Sequence, residues 1–241
     1  MKKLLTIAVC ASAVAALADP VEITVGEVGV TAINSSLSNT VVATSYTDLG
    51  SDGNIVVSNI VKTTNLTLGD SLYVFTSKNN YEGYTLKENA DHVKYWDKDL
   101  NITIDKDGNE SSTPSTTPSL AQLAVGTGFW LKRSNPSGAF YIYGKPAAAS
   151  ATSLTAGTIA LIGNPTQENK APTISAPSNG DRIMVPSNAS NGLTIYTYNS
   201  KNAKWWYRPS GKTRVELENP PTITAGTGFW YDPKGATQVS W

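Results

Sequence analysis

One pentapeptide occurs twice in this chain, as Gly126-Thr127-Gly128-Phe129-Trp130 and as Gly226-Thr227-Gly228-Phe229-Trp230. Each copy of this GTGFW motif is followed by a turn sequence, Asn135-Pro136-Ser137-Gly138 or Asp232-Pro233-Lys234-Gly235. Asn or Asp in the first position, Pro in the second and Gly in the fourth are typical of a β-turn. Each copy therefore predicts a strand, a tight turn and a returning strand, and the fold must accommodate this unit twice.

Further markers recur in the same order in both parts of the chain. Three pairs match: Gly69-Asp70-Ser71-Leu72 with Gly180-Asp181-Arg182-Ile183, Tyr84-Thr85-Leu86 with Tyr196-Thr197-Tyr198, and Lys94-Tyr95-Trp96 with Lys204-Trp205-Trp206. Short runs rich in Val, Ile, Thr and Tyr alternate with turn residues, which is the pattern of short strands. The sequence predicts an all-β protein with two tandem, sequence-related units, each a β-sandwich or an open barrel, with a pseudo-twofold arrangement as one option.

The repeat also predicts where the domains begin and end. The expected divisions are a helical signal peptide at 1–18, a first repeat at 19–144, a linker at 145–153 and a second repeat at 154–241. The first repeat is expected to carry an extra N-terminal strand within Val21 to Ile33, with no equivalent in the second. That strand would complete its own sheet, join the two repeats, or add to a neighbouring molecule. Residues 105–118 predict a solvated polar loop.

The N-terminus has the features of a removable export signal. Two lysines precede a short apolar core, Leu4 to Val14, and Ala16-Leu17-Ala18 offers a small-residue cleavage site, so the mature chain is expected to begin at Asp19. Cleavage removes the single cysteine, Cys10, and leaves 17 Lys and Arg against 19 Asp and Glu, a formal charge of −2. A mature chain without cysteine can form neither a disulfide nor a thiolate site. Its near-neutral charge gives no electrostatic reason to expect binding to nucleic acid or to an anionic membrane. The expected location is secreted or cell-surface, with the periplasm as another compartment.

Aromatic side chains supply both the predicted core and the candidate binding residues. The core residues repeated between the units are expected to be Trp96, Phe129, Trp130, Trp206, Phe229 and Trp230. Neighbouring side chains on a strand face opposite ways, so Trp205 and Tyr207 would share one face while Trp206 takes the other. Trp205 matches Tyr95, which predicts an outward aromatic in both units. Trp205, Tyr207 and Tyr95 are therefore candidates for stacking on sugar rings, with packing against the other unit as the alternative.

Two patterns invite a catalytic interpretation. Gly69-Asp70-Ser71-Leu72 resembles the signature of a serine esterase family, but the single histidine, His92, lacks the Asp-x-x-His context of that family. Asp70 and Asp181 could form a symmetric acid pair, but the Asp-Thr/Ser-Gly loops of aspartic proteases are absent. Both aspartates are instead expected to accept hydrogen bonds from backbone N–H groups of nearby turns. The sequence predicts no catalytic residue.

Alternate acidic residues also suggest a calcium loop. The spacing occurs in two sets, Asp97, Asp99, Asn101 and Asp105, Asp107, Asn109. Neither set has glycine and a bidentate glutamate at the places that such a loop requires. Asp107-Gly108 better predicts a hairpin turn after a strand from Leu100 to Ile104. No metal and no cofactor is predicted, although calcium at these residues stays open.

Part of the chain resembles a β-module of secreted and surface proteins of environmental and gut bacteria. The module has the pattern "L-I-G-N-P … I-Y-x-W … G-x-G-F". The matching segments are Ile159 to Pro165, Leu193 to Tyr196 with Trp205-Trp206, and Ile223 to Phe229. The resemblance covers Thr158 to Trp241, whereas the first repeat has Thr44-Ser45-Tyr46 where Gly-Asn-Pro would fall. It implies an appendage of exported proteins and supplies no catalytic residues.

Three function classes are open on this basis. The leading hypothesis is a non-enzymatic, exported β-repeat protein that acts as a surface or extracellular structural or adhesion-like subunit, with copies of itself or other cell-surface proteins as partners. The alternative is a carbohydrate-binding module that stacks polysaccharide sugars on exposed aromatics. A third class, an enzyme with paired carboxylates, requires a cleft in which two carboxyl groups converge. No nucleic-acid partner and no membrane span in the mature chain is predicted.

Overall fold

The computed structural model of this chain describes residues 29–34, 39–43, 46–47, 55–56, 61–62, 66–77, 80–104, 110–114, 122–123, 127–135, 139–146, 151–166, 168–187, 192–209 and 212–241. Every regular element in these ranges is a β-strand, and the strands pair antiparallel. This confirms the all-β prediction. The predicted signal peptide lies outside the described residues.

The strands divide between two halves of the chain. The first half contains β1 (Gly29–Asn34), β2 (Asn39–Ala43), β3 (Tyr46–Thr47), β4 (Ile55–Val56), β5 (Val61–Lys62), β6 (Ser71–Ser77), β7 (Asn80–Glu88), β8 (Lys94–Ile104), β9 (Glu110–Pro114), β10 (Gln122–Leu123), β11 (Gly128–Lys132) and β12 (Ala139–Pro146). The second half contains β13 (Ala151–Leu154), β14 (Ala160–Gly163), β15 (Thr173–Ser175), β16 (Arg182–Ser187), β17 (Gly192–Asn199), β18 (Lys204–Tyr207), β19 (Val215–Leu217), β20 (Gly228–Asp232) and β21 (Thr237–Ser240).

Each half contains a six-stranded sheet, and the strand order is the same in both. The order is β2-β11-β6-β7-β8-β9 in the first half and β14-β20-β16-β17-β18-β19 in the second. In each sheet, the strand of the GTGFW motif lies between the earliest strand and the strand that follows the repeated Gly-Asp. Smaller sheets also correspond, since β12 pairs with β1 and β5 while β21 pairs with β13 and β15.

Each half has a hydrophobic core between its large sheet and its small sheet. In β20, Phe229 and Tyr231 are buried while Trp230 lies between them, because alternate side chains of a strand face opposite sides. The two cores are formed by corresponding residues of the two halves. The pairs are Val42 and Ile162, Leu72 and Ile183, Trp96 and Trp205, Phe129 and Phe229, and Ile142 and Val239.

Over the residues that the structure describes, the N-terminal strand follows the first of the three outcomes considered for it. Its described part, β1, pairs with β12 of its own half from Gly29 to Asn34, and residues 21–28 lie outside the described ranges. The expectation that the second repeat lacks this strand is wrong, since β13 pairs with β21 in the same way. Strands also enter both ends of the predicted 145–153 linker, because β12 ends at Pro146 and β13 begins at Ala151.

The predicted polar loop at 105–118 is partly a strand. Residues Glu110 to Pro114 form β9 at the edge of the large sheet, with Ile104 paired to Glu110. This register makes β8 and β9 a hairpin, as the Asp107-Gly108 dipeptide predicts, although residues 105–109 themselves lie outside the described part. The loop is therefore shorter than the sequence suggests.

The halves meet through two equivalent contacts of their GTGFW motifs. Val42 forms a β-bridge with Thr227, and Ile162 forms one with Thr127. Val42 and Ile162 occupy corresponding places, because each is paired with the phenylalanine of the motif in its own half. The backbone N–H of Ala43 also donates a hydrogen bond to the Gly226 carbonyl at 2.9 Å. Backbone from both halves therefore lies in direct contact here.

Glycine permits this approach because a side chain would occupy the contact. A Cβ added to Gly163 would lie 2.6 Å from the Ala43 Cα and 2.7 Å from the Thr127 carbonyl oxygen, both in the other half. Real Cβ atoms do not come so close to backbone, so Gly163 is required by the packing of one half on the other. Gly128 is less crowded, since its added Cβ would lie 3.1 Å from the Leu161 side chain and 3.3 Å from the Val42 carbonyl oxygen, and a small shift would relieve both contacts.

We predict that Gly163→Ala lowers the free energy of unfolding by about 1 to 3 kcal/mol, the usual cost of overpacking. Gly128→Ala, at a less crowded glycine of the same contact, should cost less. Urea denaturation of both variants measures the difference. Equal midpoints for the two variants would show that the backbone approach at Gly163 does not limit stability.

Candidate functional site

Trp205 does not present its ring to solvent as a sugar-stacking residue would. It is 2% exposed and belongs to the core of the second half. Its cross-strand partner is Tyr198, just as Leu86 is the partner of Trp96. Trp205 therefore corresponds to Trp96, and the sequence matching of Trp206 with Trp96 is wrong by one residue. Such a shift moves a side chain to the other face of the sheet.

Trp206 is accordingly not a core residue of the kind predicted. It lies on the face opposite Trp205, half-buried, with the Arg214 guanidinium 4.6 Å from its ring centroid. That distance is typical of a cation–π contact. The other two stacking candidates differ from each other: Tyr95 is 38% exposed, whereas Tyr207 is half-buried with its ring 4.9 Å from that of Tyr196. The structure therefore does not bring the three candidates to one exposed surface.

The motif tryptophans are half-buried, and they touch each other. Trp130 and Trp230 lie on the faces opposite the buried Phe129 and Phe229, with ring centroids 6.1 Å apart and an edge-to-face angle of 79°. Tyr73 continues the row, with its ring 5.1 Å from Trp130. The predicted core role holds for the two phenylalanines and Trp96. The motif tryptophans instead pack the two halves together.

Asp70 and Asp181 are buried structural carboxylates at corresponding positions. Both side chains are 0% exposed. Asp70 accepts hydrogen bonds from the Thr67 N–H at 3.0 Å and from the Ser134 N–H at 2.7 Å. Asp181 accepts them from the Ser178 N–H at 2.9 Å and from the Lys234 N–H at 2.6 Å. Each carboxylate therefore joins the turn before its strand to the turn that follows the GTGFW strand.

Tyr231 adds a further hydrogen bond in the second half. Its hydroxyl donates to the Asp181 carboxylate at 2.6 Å, while the corresponding residue of the first half is Leu131. Burial, together with this hydrogen bond to a carboxylate, raises the pKa of Tyr231 far above its ordinary value. Tyr231 therefore keeps its proton and donates it in a hydrogen bond to the buried Asp181 carboxylate.

Asn164 is a structural residue that the resemblance motif contains but whose role the sequence did not reveal. It is 0% exposed and uses its whole amide group. Its Nδ2 donates to the carbonyls of Glu168 and Ile223 at 2.9 and 3.0 Å, and its Oδ1 accepts from the Thr166 N–H at 2.9 Å. The Gly-Asn-Pro segment therefore fixes the end of β14 against two loops, and the only sequence signal for this was the motif itself.

The esterase-like serine is not assembled with a histidine. The Ser71 hydroxyl donates to the Gly69 carbonyl at 3.5 Å, and the exposed His92 ring contacts Glu88 at 2.7 Å. Asp97 of the calcium-like pattern accepts a hydrogen bond from Lys87. In the ranges that the structure describes, no three His, Cys, Asp or Glu residues cluster as metal ligands would, and Asp105, Asp107 and Asn109 lie outside these ranges.

A cleft of about 340 Å³ opens beside Trp205 in the second half. Tyr198 and Trp205 contribute aromatic rings 5.3 Å apart, and Thr173, Glu218 and Asn219 contribute polar groups, with prolines around them. This volume lies at the lower end of the range for small-molecule sites. The residues come from β15, from the hairpin of β17 and β18, and from the segment after β19. Trp205 itself is 2% exposed, so the aromatic ring that borders the cleft with exposed surface is that of the half-buried Tyr198.

Strained backbone adjoins the same cleft. Ala203, which lines it, has φ of 54°, and Ala176, next to the lining residue Pro177, has φ of 48°. A non-glycine residue in this left-handed region costs roughly 1 to 2 kcal/mol. Such strain persists only where the surrounding structure imposes it, and it is frequent at ligand sites. Of these two residues, Ala203 lines the cleft and Ala176 precedes a lining residue.

Comparisons of the chain with protein-family models, with curated proteins and with solved structures find no match. The resemblance to the bacterial β-module therefore stays a prediction. No helix of a length and hydropathy that could cross a bilayer occurs among the residues that the structure describes.

We predict that Asp181→Ala lowers the free energy of unfolding by about 3 kcal/mol or more, because the Tyr231 hydroxyl and two backbone N–H groups lose their buried acceptor. Asp91→Ala is the matched control, since Asp91 is exposed in the turn between β7 and β8. It should change stability by less than about 0.5 kcal/mol. Urea denaturation measures both, and an Asp181→Ala midpoint equal to that of the control would exclude the structural role of this carboxylate.

The raised pKa of Tyr231 predicts a loss of stability at alkaline pH. The unfolded chain releases the tyrosine proton near pH 10 while the folded chain keeps it, so this contribution is complete below about pH 10 and is lost as the pH rises above it. The slope for one proton is about 1.4 kcal/mol per pH unit.

Tyr231→Phe should remove that part of the alkaline slope. It should also reduce stability at neutral pH by about 1 kcal/mol, because Asp181 loses a donor. Tyr95→Phe, at an exposed ring, serves as the control. Denaturation from neutral pH to about pH 11 tests this, and parallel curves for wild type and Tyr231→Phe would refute it.

Proposed function

We propose that this chain is an exported, non-enzymatic protein of two tandem, related β-units, and that it acts as a structural or adhesion-like subunit at the cell surface or outside the cell. The observation that supports this proposal is the structural role of the two repeated aspartates. Asp70 and Asp181, the acidic residues repeated in both halves, are fully buried and accept backbone hydrogen bonds from turns. These repeated aspartates therefore stabilise the fold of each unit. The function of the protein then resides in its exposed surface.

The equivalent contacts between the halves support a pseudo-twofold arrangement. Val42 corresponds to Ile162, and Thr127 corresponds to Thr227. The bridges Val42–Thr227 and Thr127–Ile162 are therefore the same contact made in both directions, as an interface around a twofold axis requires. Trp130 meets its own counterpart, Trp230, at the same contact. Two units joined through backbone and through paired tryptophans suit a subunit that transmits or resists force outside the cell.

The outer strands of the large sheets support assembly with copies of itself or with other surface proteins. Among the described strands, β9 pairs with β8 alone and β19 pairs with β18 alone. A strand at a sheet edge offers backbone donors and acceptors to another chain. Val215 in β19 is 37% exposed, so this edge also offers an apolar side chain. Strand addition at β19 is the mode of association that these features favour.

One observation favours the second candidate function, a carbohydrate-binding module. The cleft beside Trp205 brings the half-buried Tyr198 ring together with a carboxylate, an amide and a hydroxyl group. The exposed stacking surface expected from the sequence is not the basis of this candidate, because Trp205 is buried and Tyr95 lies in the other half.

Expression of the full chain in a bacterial host tests the leading proposal. We expect it in the envelope or medium, with an intact mass that lacks residues 1–18, and self-associated or retained on cells. Val215→Lys should abolish association through β19, because lysine on an edge strand opposes strand addition. Leu68→Lys is the control, since Leu68 is 48% exposed in a turn before β6. A cytoplasmic, uncleaved chain, or a monomer not retained on cells, would overturn the proposal.

A further inference from the structure

The outer face of the large sheet in the second half, which is the face opposite its core, carries an apolar patch. Cross-strand pairing places Trp230, Met184 and Ile195 side by side on this face, and it places Pro186 beside Leu193 in the next row. We call these five residues the β17 patch. Leu193 and Ile195 are 46% and 44% exposed, and contiguous apolar side chains of this kind mark interaction surfaces.

The corresponding face of the first half is closed by its own side chains. Tyr81 corresponds to Leu193 and Gly83 to Ile195, because each stands opposite the corresponding residue of the preceding strand. Tyr81 is 9% exposed and Gly83 is buried, and the rings of Tyr81 and Tyr73 meet edge-on with their centroids 5.7 Å apart. The fold itself therefore does not require an exposed apolar face at this place, and the patch is a feature of the second half alone.

The contact between the two halves shows what covers a face of this kind. Met184 is paired with Trp230, whose ring meets that of Trp130 in the first half, so the β17 patch is continuous with that contact. There, the outer face of one β-unit lies against the outer face of another unit with the same strand order, with β2 against β16 and β14 against β6. The occupant that the rest of this face fits is therefore a further β-unit of the same kind.

The charges that border the patch are compensated, and they suit a second copy. Arg182 and Glu216 each form an ion pair within the chain, at 2.9 and 3.0 Å, so an apolar surface docked between them leaves neither charge without a partner. Both lie in one row across the sheet, with Thr197 next to Arg182 and Trp206 next to Glu216. A twofold axis along β17 places Arg182 of one copy opposite Trp206 of the other, with the oppositely charged Glu216 beside it.

We propose that the β17 patch is the interface through which two copies of this chain pack face to face. With the twofold axis along β17, Leu193 and Ile195 of one copy meet the same two residues of the other. The inference rests on the proposed function of a self-associating subunit, and it adds a contact through the face of the sheet to the contact through its β19 edge. An interface of a few side chains lies at the small end of specific interfaces, which corresponds to a Kd of about 10 to 100 µM.

The test uses the full chain carrying Val215→Lys, so that association through β19 does not contribute. Sedimentation velocity from about 1 µM to about 1 mM brackets the expected Kd, and we expect monomer to give way to dimer over this range. The double variant Leu193→Thr/Ile195→Thr should weaken the Kd at least about tenfold, because a twofold interface contains each lost apolar group twice. Threonine retains the preference for a strand, so the sheet is kept. Leu68→Thr/Val93→Thr is the matched control, since both residues are exposed and lie in the first half.

A second measurement locates the contact without any change to the patch. In a mixture of isotope-labelled and unlabelled copies, a filtered NOE experiment should show transfer from the Ile195 methyl groups to the other copy. The inference is overturned if the Val215→Lys chain is monomeric at about 1 mM, well above the expected Kd. It is also overturned if the patch variant dimerises as tightly as its control, or if the intermolecular NOEs arise from other residues.

The inference and the proposed function can fail separately. With Val215 intact, Leu193→Thr/Ile195→Thr should still associate through β19, so loss of the face contact leaves the edge contact to be measured. A face-to-face dimer formed by a chain that is neither exported nor retained on cells would overturn the proposed function and leave the interface standing.

Discussion

The close approach of backbone at Gly163 is the constraint on which the rest of the arrangement depends. Ala43 and Thr127 of the first half come so near that no side chain fits at this position. The strands that meet there, β2 and β14, are each the outermost strand of a six-stranded sheet. Burial of these two edges against each other protects them from pairing with other chains. At the opposite edges, β9 and β19 each pair with one neighbour among the strands that the structure describes.

The sequence predicted the strands well and the faces of the tryptophans less well, for a physical reason. A repeat of five identical residues fixes which strands correspond, and Phe129 and Phe229 are buried as expected. The Lys-Tyr-Trp and Lys-Trp-Trp segments follow hairpin turns of different length, however. Lys87 pairs with Tyr95, eight residues later, whereas Asn199 pairs with Lys204, five residues later. Matching by letters then slips by one residue, and in a strand one residue exchanges core for surface.

The candidate sites show the same limit on what local pattern can reveal. The first donor to Asp181 is Ser178, three residues away, and a Gly-Asp turn predicts it. The donors Tyr231 and Lys234 lie 50 and 53 residues further along, and only the paired strands bring them near. The cleft beside Trp205 is assembled from segments between Ala171 and Pro220. No motif marks such a site, because its members are neighbours in space and not in sequence.

The two halves have the same strand order and corresponding core residues, but they differ in the residues around the cleft. Trp96 and Trp205 fill the same place, but the partner of Trp96 is the fully buried Leu86, whereas that of Trp205 is the half-buried Tyr198. The shorter hairpin of the second half also places the strained Ala203 against the cleft. Rigid strands hold these residues, while turns and strand ends supply the polar groups, which is the usual division between scaffold and binding surface. A change in hairpin length can therefore alter the surface of one unit while the core residues of both units stay at corresponding positions.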